Sequence, residues 1–202
     1  LLENRVLPFE KGAKVAVFGR VQQDWFCTGY GSGGDVNAPY RVSLLEALRE
    51  CDSLEVNEEL AQTYERWIVE NPADHGVWGH WPRFHPEMPV TPDFVRLAKR
   101  NSQYAVIVIG RSSGEDRENT LSEGSYYLTA KEKSMLKLVS QYYKKTVLIL
   151  NTGNIMDMSF IAKYRLAAVV QMWQLGQESG NALADVLSDG PDNLRTAFAM
   201  AA

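Results

Sequence analysis

The sequence predicts an α/β fold, a layered sandwich with a mostly parallel central sheet and helices on both faces. Three observations carry this. Short runs rich in Val and Ile, bounded by Gly or Asn, recur as "KVAVFG" (14–19), "YAVIVIG" (104–110), "TVLILN" (146–151) and "AAVVQMW" (167–173). Unbroken apolar runs of this length suit strands buried on both faces. Between them lie longer segments with apolar residues at helical spacing, the alternation expected of strands joined by crossover helices. Finally, 202 residues at 45% apolar and 23% charged content can fill one substantial core. A single α/β domain over 1–202 is therefore expected.

Each element has its own signal. After the first strand, Ser43 and Glu46 fit a capping box, in which a hydroxyl and a carboxylate each satisfy a backbone N–H that the helix leaves unpaired. A weaker strand is predicted near "SLEV" (53–56). From Asn57, the residues Leu60, Tyr64, Trp67 and Ile68 form one helical stripe. Residues 71–92 hold five of the eight prolines and no sustained period, so they predict a long loop. Thr91-Pro92 then opens a helix with Pro where its missing N–H costs nothing. Thr129 with Glu132 repeats the capping box before the third main strand, and "QESGNALADVLSD" closes with Ala182, Leu183, Val186 and Leu187 on its inner face.

Composition excludes several classes. A formal charge of −4 with scattered Lys and Arg gives no footprint for nucleic acid or an anionic membrane, and no run is long enough to span a bilayer. Cys27 and Cys51 stand far apart in no metal or redox spacing, which predicts reduced thiols. The opening "LLENRVLPFEKG" is not a signal peptide, which favours a cytoplasmic protein. It also lacks an initiator Met, and with the abrupt ending "LRTAFAMAA" this predicts a piece of a longer chain.

Three stretches are candidates for chemistry. "GYGSGG" places Gly29, Gly31 and Gly34 in a dinucleotide-type spacing, but a phosphate-binding turn must follow its strand directly, and the strand here ends near Gly19. Neither a nucleotide nor any other cofactor is expected. His75, His80 and His85 recur at five-residue intervals, a spacing unlike that of zinc ligands; with Trp78, Trp81 and Phe84 they suggest an aromatic lid or packing of the loop, and no metal is expected. "GRSSGEDREN" runs from a central strand into charges. There Gly110 and Gly114 permit sharp turning, and Glu115 would project from the carboxyl edge of the sheet, where open α/β sheets bind ligands. A carboxyl group held partly dry there is suited to donate a proton to a leaving oxygen; the plainer reading is a solvated loop.

Seven segments taken in order, "NRVLPF", "KVAVFG", "GYGSGGDVNAPYRVSLLEAL", "VIVIGRSSGEDREN", "YYLTAKEKSML", "TVLILNTGNIMDM" and "VVQMWQLGQESGNALADVLSD", resemble the C-terminal α/β sandwich domain of glycoside hydrolase family 3, the β-glucosidases and β-xylosidases. The likeness runs over residues 4–189. It implies a two-domain retaining enzyme in which a (β/α) barrel, absent here, carries the aspartate nucleophile, while this domain supplies the acid/base carboxylate. The position matching that carboxylate is Glu115. Glu115, Asp116 and Arg117 are contiguous here where many members have Glu-Gly-x-Asp-Arg, so Asp116 and Glu118 stay as alternatives. The usual Ser-Gly-(Arg/Lys)-Leu-Pro after the last helix is replaced by "GPDNLRTAFAMAA". Asp24, Trp25, Tyr30, Ser32 and Asp116 are the expected substrate-binding residues, the aromatic ones through stacking on sugar faces or, equally, through packing of the loop. The implied partners are the barrel and a β-linked glycoside, with no activity expected of this chain alone. The face that docks on the barrel would be left open and promote self-association. A non-catalytic carbohydrate-binding or scaffolding module is the alternative reading.

Overall fold

The computed structural model describes residues 3–32, 38–115 and 118–188. Six strands form one sheet: β1 (Glu3–Asn4), β2 (Ala13–Phe18), β3 (Leu54–Val56), β4 (Tyr104–Arg111), β5 (Thr146–Thr152) and β6 (Ala168–Gln171). Their spatial order is β1-β6-β5-β4-β2-β3. The run from β3 to β6 is parallel throughout, and only β1 pairs antiparallel, on β6. The predicted mostly parallel α/β sheet is the one observed.

Among the described residues, five α-helices cover both faces. Helices α1 (Leu44–Glu50) and α5 (Ser179–Ser188) pack on one side with Val15, Val17, Val106, Val108, Val147 and Ile149. Helices α2 (Glu58–Glu70), α3 (Pro92–Arg100) and α4 (Ala130–Tyr142) cover the other side, against Phe18, Ile107, Ile109, Leu148 and Leu150. Alternate strand residues thus feed opposite cores, which is why β4 and β5 are apolar along their length and buried at every position. No helix among the described residues is long and apolar enough to cross a membrane.

The local signals act as expected. Both capping boxes form, Ser43 with Glu46 and Thr129 with Glu132, and Thr91 caps the helix that Pro92 opens. On α5 the inner face is Leu183, Ala184, Val186 and Leu187; Ala182 lies only partly buried beside it. Cys27 and Cys51 are free thiols. Residues 72–91 contain no helix or strand, yet they are extensively pinned.

Candidate active site

The strand order creates the site's position. The chain leaves β2 toward α1 on one face and leaves β4 toward α4 on the other, so the segments after these two adjacent strands diverge. A crevice opens at such a reversal at the carboxyl ends of the strands, where ligands of open α/β sheets bind. "VIVIGRSSGE" brings Glu115 to one lip, and the 24–32 segment forms the other.

Four successive residues at the end of β4 are held by four different parts of the molecule. Buried Arg111 makes a two-pronged ion pair with Glu132 at the start of α4, at 2.6 and 2.8 Å, and donates to the carbonyls of Gly110, Ser125 and Tyr127. Ser112 donates through its N–H to the Arg83 carbonyl (2.8 Å) and through its hydroxyl to the Pro82 carbonyl (2.6 Å). Ser113 donates to Gln174 Oε1, while Gln174 Nε2 donates to the Arg111 carbonyl. Gly114 bridges Tyr30 in parallel fashion. Its φ is +134°, and a Cβ there would stand 1.9 Å from the Tyr30 carbonyl oxygen, so only glycine fits.

This framework sets Glu115 against the opposite lip. Its N–H donates to the Tyr30 carbonyl at 3.1 Å. Its carboxylate accepts from Ser32 twice, from the backbone N–H at 3.0 Å and from the hydroxyl at 2.7 Å. Those two bonds, the backbone one first, hold its pKa below the ordinary carboxylate value, and the side chain is open to solvent. Glu115 is therefore ionised at neutral pH in this chain, the form that accepts a proton.

The other sequence-predicted residues are distributed unevenly. Ser32 adjoins Glu115 directly. Tyr30 lies half-buried beside it and stacks on Trp81, ring centres 5.3 Å apart and planes within 3°. Trp25, expected at the rim, is a buried side chain whose indole N–H donates to Ser179 Oγ at 2.7 Å, so it packs the loop onto α5. Asp24 is committed to an ion pair with Arg20 at 2.7 Å. Asp116 and Gly34 lie outside the described residues, and Glu118 is exposed. Trp25, Asp24, Tyr30, Arg41, His75 and His85 border a cleft of about 300 Å³ next to this lip. A larger cleft of about 840 Å³ lies at the opposite, amino edge of the sheet, lined by Lys14, Lys99, Arg100, Lys144 and Lys145, remote from Glu115.

Arg20 carries no signal in the sequence, and Glu87 stands out there only as a neighbour, with Asp74, of the loop histidines. Arg20 is 1% exposed; besides Asp24 it donates to the carbonyls of Pro86 (2.8 Å) and Asn71 (3.0 Å), and its guanidinium lies 5.0 Å from the centre of the Trp67 ring. One side chain thus ties both ends of the proline-rich loop. Glu87, also buried, accepts from the backbone N–H groups of Arg20 and Met88, and burial pushes its pKa up to about 7. His85 stacks on Phe26, and burial lowers its pKa to about 4, so it is neutral. The available sequence signal is the three histidines of the chain gathered in this one loop beside Arg83 and Glu87.

A sequence profile of the glycosyl hydrolase family 3 C-terminal domain matches residues 1–190. A β-glucosidase of Ruminococcus albus is 39% identical over 188 residues, covering 93% of this chain and 20% of the relative. The structure of a β-glucosidase from Paenibacillus barengoltzii superposes with a TM-score of 0.90 at 42% identity, over 93% of this chain and 21% of that one. β-Glucosidase 3B of Thermotoga neapolitana, solved with α-D-glucose, gives 0.80 at 32% identity, over 93% of this chain and 27% of that one. The chain thus spans between a fifth and just over a quarter of the length of these relatives.

Proposed function

Because this chain belongs to glycoside hydrolase family 3, as its C-terminal domain, we propose that it supplies the proton-transferring carboxylate of a retaining β-glucosidase, with Glu115 as that group and no hydrolysis by the chain alone. The observation that carries the reading is Glu115 itself, presented at the strand reversal on a turn fixed from four sides and met by both donors of Ser32.

A retaining glycosidase needs two carboxyl groups about 5–5.5 Å apart across the scissile bond. The nucleophile, from the barrel, attacks the anomeric carbon as Glu115 gives its proton to the departing oxygen. Glu115, now a carboxylate, takes a proton from the water that releases the sugar. The low pKa of the exposed Glu115 suits the second half. For the first half the carboxyl must be protonated, and a barrel laid over it would remove water and raise its pKa. Exposed Leu121, Ile155, Trp173 and Leu175, on segments after β4, β5 and β6, are an apolar rim suited to that docking, and the same rim would promote self-association of the chain alone.

The test is kinetic, in the full-length enzyme. Glu115→Gln should lower kcat/KM by about 10²–10⁴ on substrates with poor leaving groups, the range general acids contribute, and far less on activated aryl glucosides. Equal losses on both would remove Glu115 from the acid role. Asp116→Asn and Glu118→Gln should show no such leaving-group dependence.

A further inference from the structure

We infer that Trp78 is an outer stacking platform for the leaving-group side of the substrate, so that the enzyme binds β-linked gluco-oligosaccharides beyond the first leaving-group sugar. The inference rests on the cleavage reading above, because it places the platform relative to Glu115.

Three observations converge on Trp78. The first is continuity: Tyr30, hydrogen-bonded through its carbonyl to the Glu115 N–H, stacks on Trp81, and Trp81 meets Trp78 edge to face at 6.0 Å between ring centres. An aromatic ladder therefore leads outward from the carboxylate. Tyr30 and Trp81 are spent on each other, while Trp78 is 71% exposed and keeps a ring open. The second is rigidity. Trp78 sits at the tip of a turn closed by the His80 N–H donating to the Val77 carbonyl at 2.8 Å. Gly76 and Gly79 on either side have φ of +67° and +79°, and the Gly76 N–H donates to Asp74 Oδ1. The third is register. Ser112, three residues from Glu115, donates to the carbonyls of Arg83 and Pro82, so the loop carrying Trp78 and the turn carrying Glu115 are fastened to one another.

Set in line with the Tyr30–Trp81 stack on a braced turn, the open Trp78 ring has a face left to stack on a ligand. The apolar face of a β-linked pyranose, lined by axial C–H groups, is a flat partner of matching size. Stacking there acts on ground state and transition state alike, because it is remote from the bond being broken. It should therefore lower KM without changing kcat.

The test uses the full-length enzyme and a series of β-linked gluco-oligosaccharides of two to five units. Trp78→Ala should leave kcat unchanged throughout, leave KM for the disaccharide within twofold, and raise KM for the trisaccharide and longer about tenfold. Trp78→Phe should restore most of the loss. A KM change independent of chain length, or none at any length, would overturn the assignment, as would a fall in kcat with weakened domain association, which would make Trp78 a docking residue instead. Failure of Glu115 as the acid shows separately, as equal losses on good and poor leaving groups in Glu115→Gln, and does not alter the length series.

Discussion

Glu87 is a carboxyl group removed from water, and among the described residues it accepts from two backbone N–H groups, those of Arg20 and Met88. Burial dominates and lifts its pKa to about 7 from an ordinary 4.5. A carboxyl raised in the folded state binds its proton more tightly than in the unfolded chain. Its contribution to stability is thus complete below pH 4.5 and is lost as pH rises through 7. The size is roughly 3 kcal/mol, from the 1.36 kcal/mol carried by each pKa unit. Glu87→Gln keeps the acceptor and discards the charge. The stability difference between the two proteins, from urea unfolding at a series of pH values, should swing by roughly that amount toward the variant between pH 4 and pH 8. A difference constant with pH would count against this account. Glu115 shows the opposite behaviour for the opposite reason, since it is solvated and held by Ser32. Its place at the end of β4 is legible from sequence, because an apolar run ending in Gly and charges marks a strand's edge. Its partnership with Ser32 is not, since the two meet from positions 83 apart in the chain.

Strands and helices were legible wherever their own sequence carries the cause. Two-sided burial writes continuous apolar runs, and a capping box needs only residues three apart, so β2, β4, β5 and the starts of α1, α3 and α4 can be read directly. The two-residue β1 has no such mark, because "EN" is placed by pairing with β6. The 71–92 segment is the instructive case. Its lack of period correctly predicts no helix or strand before Pro92, but its order comes from distant partners: Arg20 at both ends, Tyr30 against Trp81, Phe26 against His85, and Gly124, where a Cβ would stand 2.1 Å from the Phe84 ring. Arg20→Ala would strand the Asp24 carboxylate and two carbonyls. It should cost about 3 kcal/mol, the low end for breaking a buried ion pair, because Asp24 retains some access to water. The check is the denaturation midpoint together with protease cleavage inside 72–80, which should appear in the variant under conditions where the parent resists. An unchanged midpoint would mean that the aromatic contacts and the Ser112 and Glu87 hydrogen bonds hold the loop without the Arg20 side chain.

Across the whole molecule, the two hydrophobic clusters share one sheet, so neither can form without the other. Val106 and Val108 belong to one side while Ile107 and Ile109, from the same strand, belong to the other. Residues 1–190 should therefore unfold in a single transition, with far-ultraviolet circular dichroism and tryptophan fluorescence superimposing; separate midpoints would divide the domain along the sheet. The double role of β4 also explains why the fold is readable while the geometry of the candidate site is only partly so: the parallel order follows from strand composition, whereas the crevice depends on which face each following helix takes. The Arg20 guanidinium, bonded to Asn71 and to Pro86, closes the stretch between them into a ring. The outer part of the ring, 73–80, can be exchanged, lengthened or trimmed at small entropic cost, while Trp81, Pro82 and Arg83 keep their holds on Tyr30 and Ser112. Under the proposed function, recognition of the departing sugar chain would diversify by grafting the Trp78 turn alone, with the turn that presents Glu115 still anchored through Ser112.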